Sequence, residues 1–215
     1  MYRISQKSLS LKFLNYVLFP LRALFLLEKS RFNLSSIRDE RMDFCAKFCR
    51  GKVLDIGCGR GNLFIKNYIG IKKGIGVDIF PYKGVENVFD DLSNLPFDDQ
   101  TFDTITLIAV GGHIPKHMRT SEFKEFSRLL VPNGRLLFTE GEPVTQFLVH
   151  KWSEFLTLFT GEKDMDSERG MEDEEEYCMP ESEIKYYMNS FSLKLIRRRR
   201  FMWGLNNLYI SEKQN

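Results

Sequence analysis

The sequence contains few of the residues from which metal centres and disulfide frameworks are built. It has four cysteines and three histidines among 215 residues. Cys45 and Cys49 lie one helical turn apart, but neither a second cysteine pair nor a histidine cluster completes a ligand set. We therefore predict no metal site, and the spacing favours reduced, buried thiols of an intracellular protein.

Long apolar runs and a dominant charge are also missing. Basic and acidic residues nearly balance, 31 against 29, so no basic field indicates nucleic acid as a partner. The most apolar stretch, residues 9–27, is interrupted by Lys12, Asn15, Pro20 and Arg22, and no small-residue cleavage site follows it. This disfavours both a spanning helix and a cleaved signal peptide. The predicted localisation is cytoplasmic, and residues 9–27 pack on the domain, cover a substrate pocket or contact a membrane surface.

What is present is an alternation of strand and helix patterns from residue 53 onwards. This alternation is typical of a parallel sheet with helices on both faces. We predict one α/β domain over residues 37–215, preceded by an apolar or amphipathic segment, residues 1–36, that acts as a cap or lid. The predicted strands are 53–56, 74–79, 85–89, 101–110, 135–139, 192–200 and 201–210, and the predicted helices are 37–49, 120–130, 145–159, 181–190 and one starting near residue 62.

A glycine-rich turn follows the first strand, in the run VLDIGCGRG from Val53 to Gly61. Glycines allow a ligand to approach the backbone closely. The third glycine, Gly61, comes one residue earlier than in the G-x-G-x-x-G turn that binds dinucleotide pyrophosphates. Asp55, just before this turn, would repel a phosphate but attract the ammonium of a methionine moiety. Asp78 ends the second strand, where a carboxylate can accept from both hydroxyls of a ribose and Ile79 can lie against adenine.

Segments in this order and spacing resemble the class I S-adenosylmethionine (AdoMet)-dependent methyltransferases, in the branch of the menaquinone and ubiquinone methyltransferases and many small-molecule enzymes. They are LDIGCGRG at 54–61, GVDI at 76–79, DLSNLPF at 91–97 with Phe102 and Asp103 beyond it, and FSRLLVPNGR at 126–135. The resemblance implies AdoMet as cofactor and a Rossmann-like α/β fold. It implies a seven-stranded, mostly parallel sheet in the order 3-2-1-4-5-7-6, with helices on both faces and here an N-terminal helical cap.

The same resemblance implies which residues bind the cofactor. Asp55 and the glycine-rich turn would hold the methionine part, and Asp78 the ribose. Asp91 would accept from the adenine amino group beside the backbone N–H of Leu92, although Asp91 on its own is more typical of a helix cap or turn. The backbone of Leu107 would lie at the methionine end. The complete predicted set is Asp55, Gly57, Cys58, Gly59, Asp78, Ile79, Asp91, Leu92 and Leu107.

The sequence departs from the resembling family after the fourth strand. Gly111 and Gly112 stand where many relatives have Leu-Glu or Leu-His, which predicts a wider pocket floor or a more mobile backbone. His113, which those relatives share, is the candidate catalytic base, with orientation of the loop as the alternative role. The weaker candidates are His117, His150 and Tyr177.

The predicted reaction is methyl transfer from AdoMet to a small or amphiphilic acceptor. A sulfonium is a good leaving group, so the protein mainly has to align the acceptor and exclude water. Residues 1–36 and the segment after the fifth strand would select the acceptor, and their aromatic side chains form either a lid or ordinary core. These side chains are Phe13, Tyr16, Phe19, Phe25, Phe147, Trp152, Phe155 and Phe159.

A helix that starts after Pro20 is predicted to be amphipathic. Its buried side would carry Leu21, Leu24, Phe25 and Leu27. Its outer side would present Arg22 and Lys29 to water or to lipid headgroups.

Three other function classes remain open. A non-catalytic module that binds AdoMet or a partner protein fits the two glycines where relatives have side chains. A nucleic-acid methyltransferase is disfavoured by the balanced charge, although residues 197–200 form a short run of arginines. An NAD-dependent oxidoreductase is disfavoured by the glycine spacing and by the DLSNLPF segment.

Overall fold

The computed structural model describes residues 8–145, 147–148, 151–152, 155 and 174–214. In these residues seven strands form one sheet. The strands are β1 Val53–Ile56, β2 Gly74–Asp78, β3 Asn87–Val88, β4 Phe102–Ile108, β5 Leu130–Gly141, β6 Leu193–Phe201 and β7 Asn206–Lys213. The helices are α1 Leu9–Val17, α2 Phe19–Phe25, α3 Ile37–Ala46, α4 Lys116–Leu129 and α5 Glu181–Ser190.

The strand order is β3-β2-β1-β4-β5-β7-β6, which confirms the predicted Rossmann-like fold. The neighbouring pairs are parallel except those of β7, which runs antiparallel to both β5 and β6. Strand β4 lies at the centre, and its apolar run is buried as expected for a strand covered on both faces. The parallel strands therefore bring their carboxyl ends to one edge of the sheet, the edge where ligands bind in open α/β folds.

Several element bounds differ from the predictions. Strand β5 already begins at Leu130, which pairs with Phe102, and an irregularity takes up residues 131–134 before the regular pairing resumes. Strand β7 begins at Asn206 rather than at residue 201. The reason is the turn Met202–Gly204, in which Trp203 has a φ of 57°, far from extended backbone. Helix α4 begins at Lys116 rather than at residue 120, and β3 is shorter than predicted.

Two apolar cores cover the two faces of the sheet. One of them includes Leu54 of β1 and Phe123 of α4. The other includes Val53 of β1, Phe19 of α2 and Cys45 of α3. Neighbours along β1 belong to different cores because successive side chains of a strand point to opposite faces. Helix α2 is thus part of the packing on the sheet.

The predicted orientation of α2 was wrong. Leu21 and Phe25, expected on its buried side, are 54% and 64% exposed. Leu24 is exposed too, whereas Arg22, expected to meet water or lipid, is only 1% exposed. Lys29 is exposed as predicted, and Leu27 is half-buried.

The physical reason is a set of acceptors that surrounds the guanidinium of Arg22. It forms an ion pair with Glu40 of α3 and donates hydrogen bonds to the carbonyl oxygens of Asn15 and Ser35. The Asn15 side chain is itself buried and accepts from the Ser35 backbone N–H at 2.7 Å. A buried guanidinium needs several acceptors at once, and here three separate segments supply them.

Some predictions fall on residues outside the described ranges. The predicted helix 145–159 lies mostly there, as do His150 and Phe159. The division of the chain at residue 36 stays a prediction. Within the described ranges, no helix is long and apolar enough to cross a membrane.

Candidate functional site

The glycine-rich turn lies at the carboxyl edge of the sheet, directly after β1. Gly57 and Gly59 have φ values of 65° and 63°, in the left-handed region that favours glycine. A Cβ on Gly57 would lie 2.6 Å from Cγ2 of Val110, so the chain leaving β4 contacts the turn. Cys58 between the two glycines is buried, which raises the pKa of its thiol, and its backbone N–H donates to Val77 at 3.0 Å. The turn is therefore held by backbone contacts on both sides.

The carboxyl groups of Asp55 and Asp78 lie beside this turn, and both are buried. Asp78 accepts from the Gly59 backbone N–H at 2.8 Å and from the Phe80 N–H at 3.0 Å. Asp55 accepts from the hydroxyl of Thr106 at 2.6 Å. The pKa of Asp55 is raised to about 7, mainly by burial and with a smaller contribution from the nearby charge of Asp78, against the lowering effect of the hydrogen bond from Thr106.

The segment after β3 places Asp91 and Leu92 at the same edge. Asp91 is exposed, and its carboxylate accepts from the backbone N–H and the hydroxyl of Ser93 at 2.7 and 2.9 Å, which lowers its pKa. These contacts are those of a turn residue, the alternative role stated above. Leu92 is buried, and Ile79 is half-buried against the same core.

Leu107 and the two glycines that follow β4 are closely packed. Leu107 is fully buried between its register partners Ile56 and Phe138. A Cβ on Gly111 would clash with the ring of Phe138, and a Cβ on Gly112 would clash with the Glu176 carbonyl oxygen. The predicted wider pocket floor is therefore wrong. The glycines instead allow β5 and the 176–178 segment to approach the end of β4.

His113 is half-buried, and its Nδ1 lies 3.4 Å from Oε2 of Glu175, whose carboxylate is fully buried. This contact fits the role of orienting the loop, and the catalytic role stays a prediction. His117 lies on the surface, 2.8 Å from Oε2 of Glu174, and the Tyr177 ring packs edge-on against Phe147.

Glu140, at the end of β5, is a buried carboxyl group at this edge of the sheet that the sequence analysis did not single out. It is 2% exposed, and burial raises its pKa to about 7. Its Oε2 atom has no hydrogen-bond partner among the described residues. The sequence carried a signal, since Glu140 closes an apolar strand in the same way as Asp78 closes β2. Glu122 of α4 is similar, with an unpartnered Oε2 and a pKa that burial raises to about 8.

The buried carboxyl pair of Asp55 and Asp78 fits a cationic ligand. Within the described part of the chain, neither carboxylate forms an ion pair with a basic side chain. Burying a charge without a counter-charge is costly, and a ligand that brings positive charge removes that cost. AdoMet carries an ammonium and a sulfonium group, so the residues present fit it.

A family model described as a methyltransferase domain matches residues 25–200. The chain belongs to this family. The predicted methyltransferase class and AdoMet as its cofactor are thereby confirmed, while the match does not separate the menaquinone and small-molecule branch from other members.

Curated relatives share a shorter stretch of sequence. Proteins named "Probable tRNA methyltransferase 9B" from Bos taurus and Homo sapiens are each 38% identical to this chain over 91 residues. These residues make up 40% of this chain and 20% of each relative, so the match spans about a fifth of the relatives' length.

Solved structures with the same fold share little sequence with the chain. A protein of Pyrococcus horikoshii superposes with a TM-score of 0.62 at 20% identity, covering 82% of this chain and 90% of that one. The 1,6-didemethyltoxoflavin-N1-methyltransferase of Burkholderia thailandensis, solved with S-adenosylhomocysteine, superposes with a TM-score of 0.56 at 16% identity, covering 81% and 79%. At such identities the likeness establishes the fold alone.

Proposed function

We propose that the protein transfers the methyl group of AdoMet to an amphiphilic acceptor taken from a lipid surface, as in the menaquinone and ubiquinone branch. The observation that carries this proposal is an exposed apolar surface on α1 and α2, at the edge of the sheet that holds the cofactor residues. We infer the reaction, methyl transfer, from the family, and the class of acceptor from this exposed surface.

The cofactor would be held by residues of this chain at the ends of β1, β2 and β4. When bound, AdoMet supplies a methyl group on a sulfonium, whose departure leaves a neutral thioether. Asp55 would attract the ammonium, and Asp78 would accept from the ribose hydroxyls. Asp91 and the Leu92 N–H would meet the adenine, and the backbones of Gly57, Gly59 and Leu107 would exclude water around the methionine part.

Binding of S-adenosylhomocysteine, measured by calorimetry, tests these roles. We expect Asp78→Asn to weaken binding about tenfold or more, because a hydrogen bond to a charged group contributes roughly 1.5–3 kcal/mol. The matched control is Asp90→Asn, which removes an exposed carboxylate and should leave the affinity for S-adenosylhomocysteine unchanged. Unchanged affinity in a folded Asp78→Asn protein would remove the ribose role. Tighter binding of NAD than of S-adenosylhomocysteine by the wild type would overturn the proposal.

The exposed apolar surface consists of Phe13, Tyr16, Leu21, Leu24 and Phe25, which we call the N-terminal apolar surface. Among residues 8–27 there is no acidic residue. Arg22 is buried, so the exposed basic side chains near this surface in the chain include Lys12 and Lys29. Exposed apolar side chains with a few basic ones nearby are typical of helices that lie in a membrane interface. The surface therefore fits an anionic lipid bilayer better than water.

Contacts at its two ends join this surface to segments that lie at the carboxyl edge of the sheet. Trp203, in the turn between β6 and β7, donates to the Tyr16 carbonyl oxygen at 2.8 Å. Trp152, which follows β5, donates to the Leu24 carbonyl oxygen at 2.8 Å and lies edge-on to Phe25. The apolar character continues onto Phe147, Leu148 and Phe155, which are also exposed. An acceptor leaving the bilayer would thus meet the cofactor edge directly.

A second acceptor class, tRNA, is favoured by one specific observation. The curated relatives carry tRNA methyltransferase names, and β6 exposes Arg197, Arg199 and Arg200 on the edge of the sheet. Arg198 is engaged by Glu142 and Glu181. The relatives match only 91 residues, and the arginine patch is small, so the lipid-presented acceptor is the stronger proposal.

Transfer of label from methyl-tritiated AdoMet separates the acceptor classes. The full chain is incubated in parallel with a total lipid extract, an aqueous metabolite extract and bulk tRNA. We expect labelled product in the lipid extract. Label in tRNA alone would replace the lipid proposal by the second one. Binding of S-adenosylhomocysteine without transfer to any fraction would favour the non-catalytic module.

A further inference from the structure

The carboxyl group of Glu140 is buried at the end of β5 and takes no part in the proposed cofactor set. The Gly141 backbone N–H donates to its Oε1 at 3.3 Å, and the Met179 backbone N–H also bonds to the carboxylate. Its Oε2 accepts no hydrogen bond from the described residues. A buried oxygen that is left unpaired has a cost, which a ligand able to donate a hydrogen bond would remove.

The position of this oxygen is set by the absence of a side chain at Gly111. A Cβ built there would lie 2.9 Å from Oε2, so the carboxyl group occupies the space beyond the end of β4. Strands β1, β4 and β5 lie side by side, with Ile56 opposite Leu107 and Leu107 opposite Phe138. Glu140 therefore stands at the same edge as Asp55, two strands away along the sheet.

Charged groups from several elements face this carboxyl group. Burial has the largest effect and raises its pKa, whereas Arg41 of α3 and His113 after β4 lower it. Arg41 is also held by the Asn206 side chain at the start of β7, at 3.0 Å. In the described part of the chain, Cys178 and Tyr209 are titratable groups that also interact with it. Burial acts in the opposite direction to Arg41 and His113, and the resulting pKa of about 7 leaves the carboxyl group able to change its protonation state near neutral pH.

We propose that Glu140 is the group that takes the proton from the acceptor atom during methyl transfer, a role that rests on the proposed function. The bond between the acceptor atom and the methyl carbon forms as the bond between that carbon and sulfur breaks. The electron pair of the broken bond stays on sulfur, and the acceptor proton passes to the Glu140 carboxylate. Protons and charge balance without any further reactant.

Two features of the carboxyl group suit this role. It is ionised to a useful fraction near neutral pH, where a general base works best. The positive charge of the donor would favour the ionised form before transfer, and the loss of that charge would favour the protonated form afterwards. Arg41 and His113, which lower the pKa of Glu140, then act as positioning residues for its carboxylate.

The test compares Glu140→Gln with Glu142→Gln, a partly exposed carboxylate two residues further along the chain. The probe is methyl-tritiated AdoMet with total lipid extract, assayed from pH 5.5 to 8.5. We expect Glu140→Gln to lower transfer about 100-fold or more and to lose the rise in rate through neutral pH. Binding of S-adenosylhomocysteine should stay within about twofold of the wild type, since no cofactor residue changes. Glu142→Gln should keep both the rate and the pH profile.

A second variant and a second readout guard against a purely structural effect. Glu140→Asp keeps a carboxyl group, so it should retain the pH-dependent rise at a rate about tenfold lower. In urea unfolding without ligand, the wild type should lose stability relative to Glu140→Gln between pH 5 and 8. The reason is that the folded state keeps the proton to a higher pH than the unfolded state.

Three results would overturn the assignment. One is transfer by Glu140→Gln within about threefold of the wild type with the same pH profile, and another is loss of S-adenosylhomocysteine binding in that variant. Both leave transfer by the wild type intact and so leave the proposed function standing. Absence of transfer by the wild type itself would remove the proposed function and this role together.

Discussion

At the scale of single residues, the burial of Asp55 and Asp78 destabilises the free protein but prepares the site for a cationic ligand. Their carboxyl groups are buried where the glycine-rich turn meets β2, and among the described residues only neutral groups donate to them. Such a pair is unfavourable in the free protein and becomes favourable when a cation arrives. The site is therefore expected to gain stability on binding AdoMet beyond what contact area alone would give.

The pKa of Asp55 leads to a prediction about stability and pH. Its folded-state pKa is about 7 against 3.8 ordinarily, so the folded state holds the proton more tightly than the unfolded state. Asp55 should thus contribute a fall of roughly 2–4 kcal/mol in the free energy of unfolding as pH rises from about 4 to 7. Asp55→Asn should lack this contribution, while Glu122 and Glu140, whose pKa values burial also raises, keep theirs. Urea unfolding at pH 5 and pH 8 measures it, with exposed Asp98→Asn as the control. Equal pH slopes for Asp55→Asn and the wild type would contradict the prediction.

At the scale of elements, α1 and α2 are tied to α3 by the buried guanidinium of Arg22. Removing it leaves Glu40 and the two carbonyl oxygens without their donor. We expect Arg22→Ala to lower the free energy of unfolding by about 3–5 kcal/mol. Exposed Lys12→Ala should change it by less than about 0.5 kcal/mol. Thermal or urea unfolding measures both changes. A small effect of Arg22→Ala on the free energy of unfolding would mean that α2 is only loosely attached.

The same packing changes how a lid should be tested. A chain without residues 1–30 would lose Phe19, Arg22 and Leu26, all of which are buried. We expect it to unfold at lower urea concentration, so lost activity would say nothing about acceptor selection. Substitutions on the N-terminal apolar surface avoid this problem because that surface is exposed.

At the scale of the whole molecule, the N-terminal apolar surface predicts binding to membranes. The wild type should sediment with vesicles that contain anionic lipid, and higher salt should weaken the binding. The triple variant Phe13→Ser, Leu21→Ser, Phe25→Ser should bind at least about tenfold more weakly, since each exposed apolar side chain that enters lipid contributes on the order of 1 kcal/mol or more.

Stability and S-adenosylhomocysteine binding of the triple variant serve as its controls. Both should match the wild type, because the substituted side chains lie outside the two cores. Failure of the wild type to bind vesicles, with tight binding to tRNA instead, would move the assignment to the tRNA acceptor.

The sequence by itself determined the topology and the cofactor. Apolar strands, acidic residues at strand ends and the early third glycine are local signals, readable because each depends on neighbours along the chain. The resemblance to the family rested on these signals, and the resemblance implied the strand order; both the family and the order were confirmed. Whether the predicted residues bind AdoMet stays a prediction.

Only the tertiary structure decided which side chains are buried at the margins of the fold. Arg22 is a charged residue in an apolar stretch, and its burial depends on Glu40 and Ser35, which the sequence does not mark as its partners. Gly111 was expected to open a pocket, yet Phe138 and Glu140 of the neighbouring strand fill the space beside it. The free energy of burying a charge, and the side chains that fill the space beside a glycine, depend on groups far away in the chain. Local sequence patterns therefore cannot predict them.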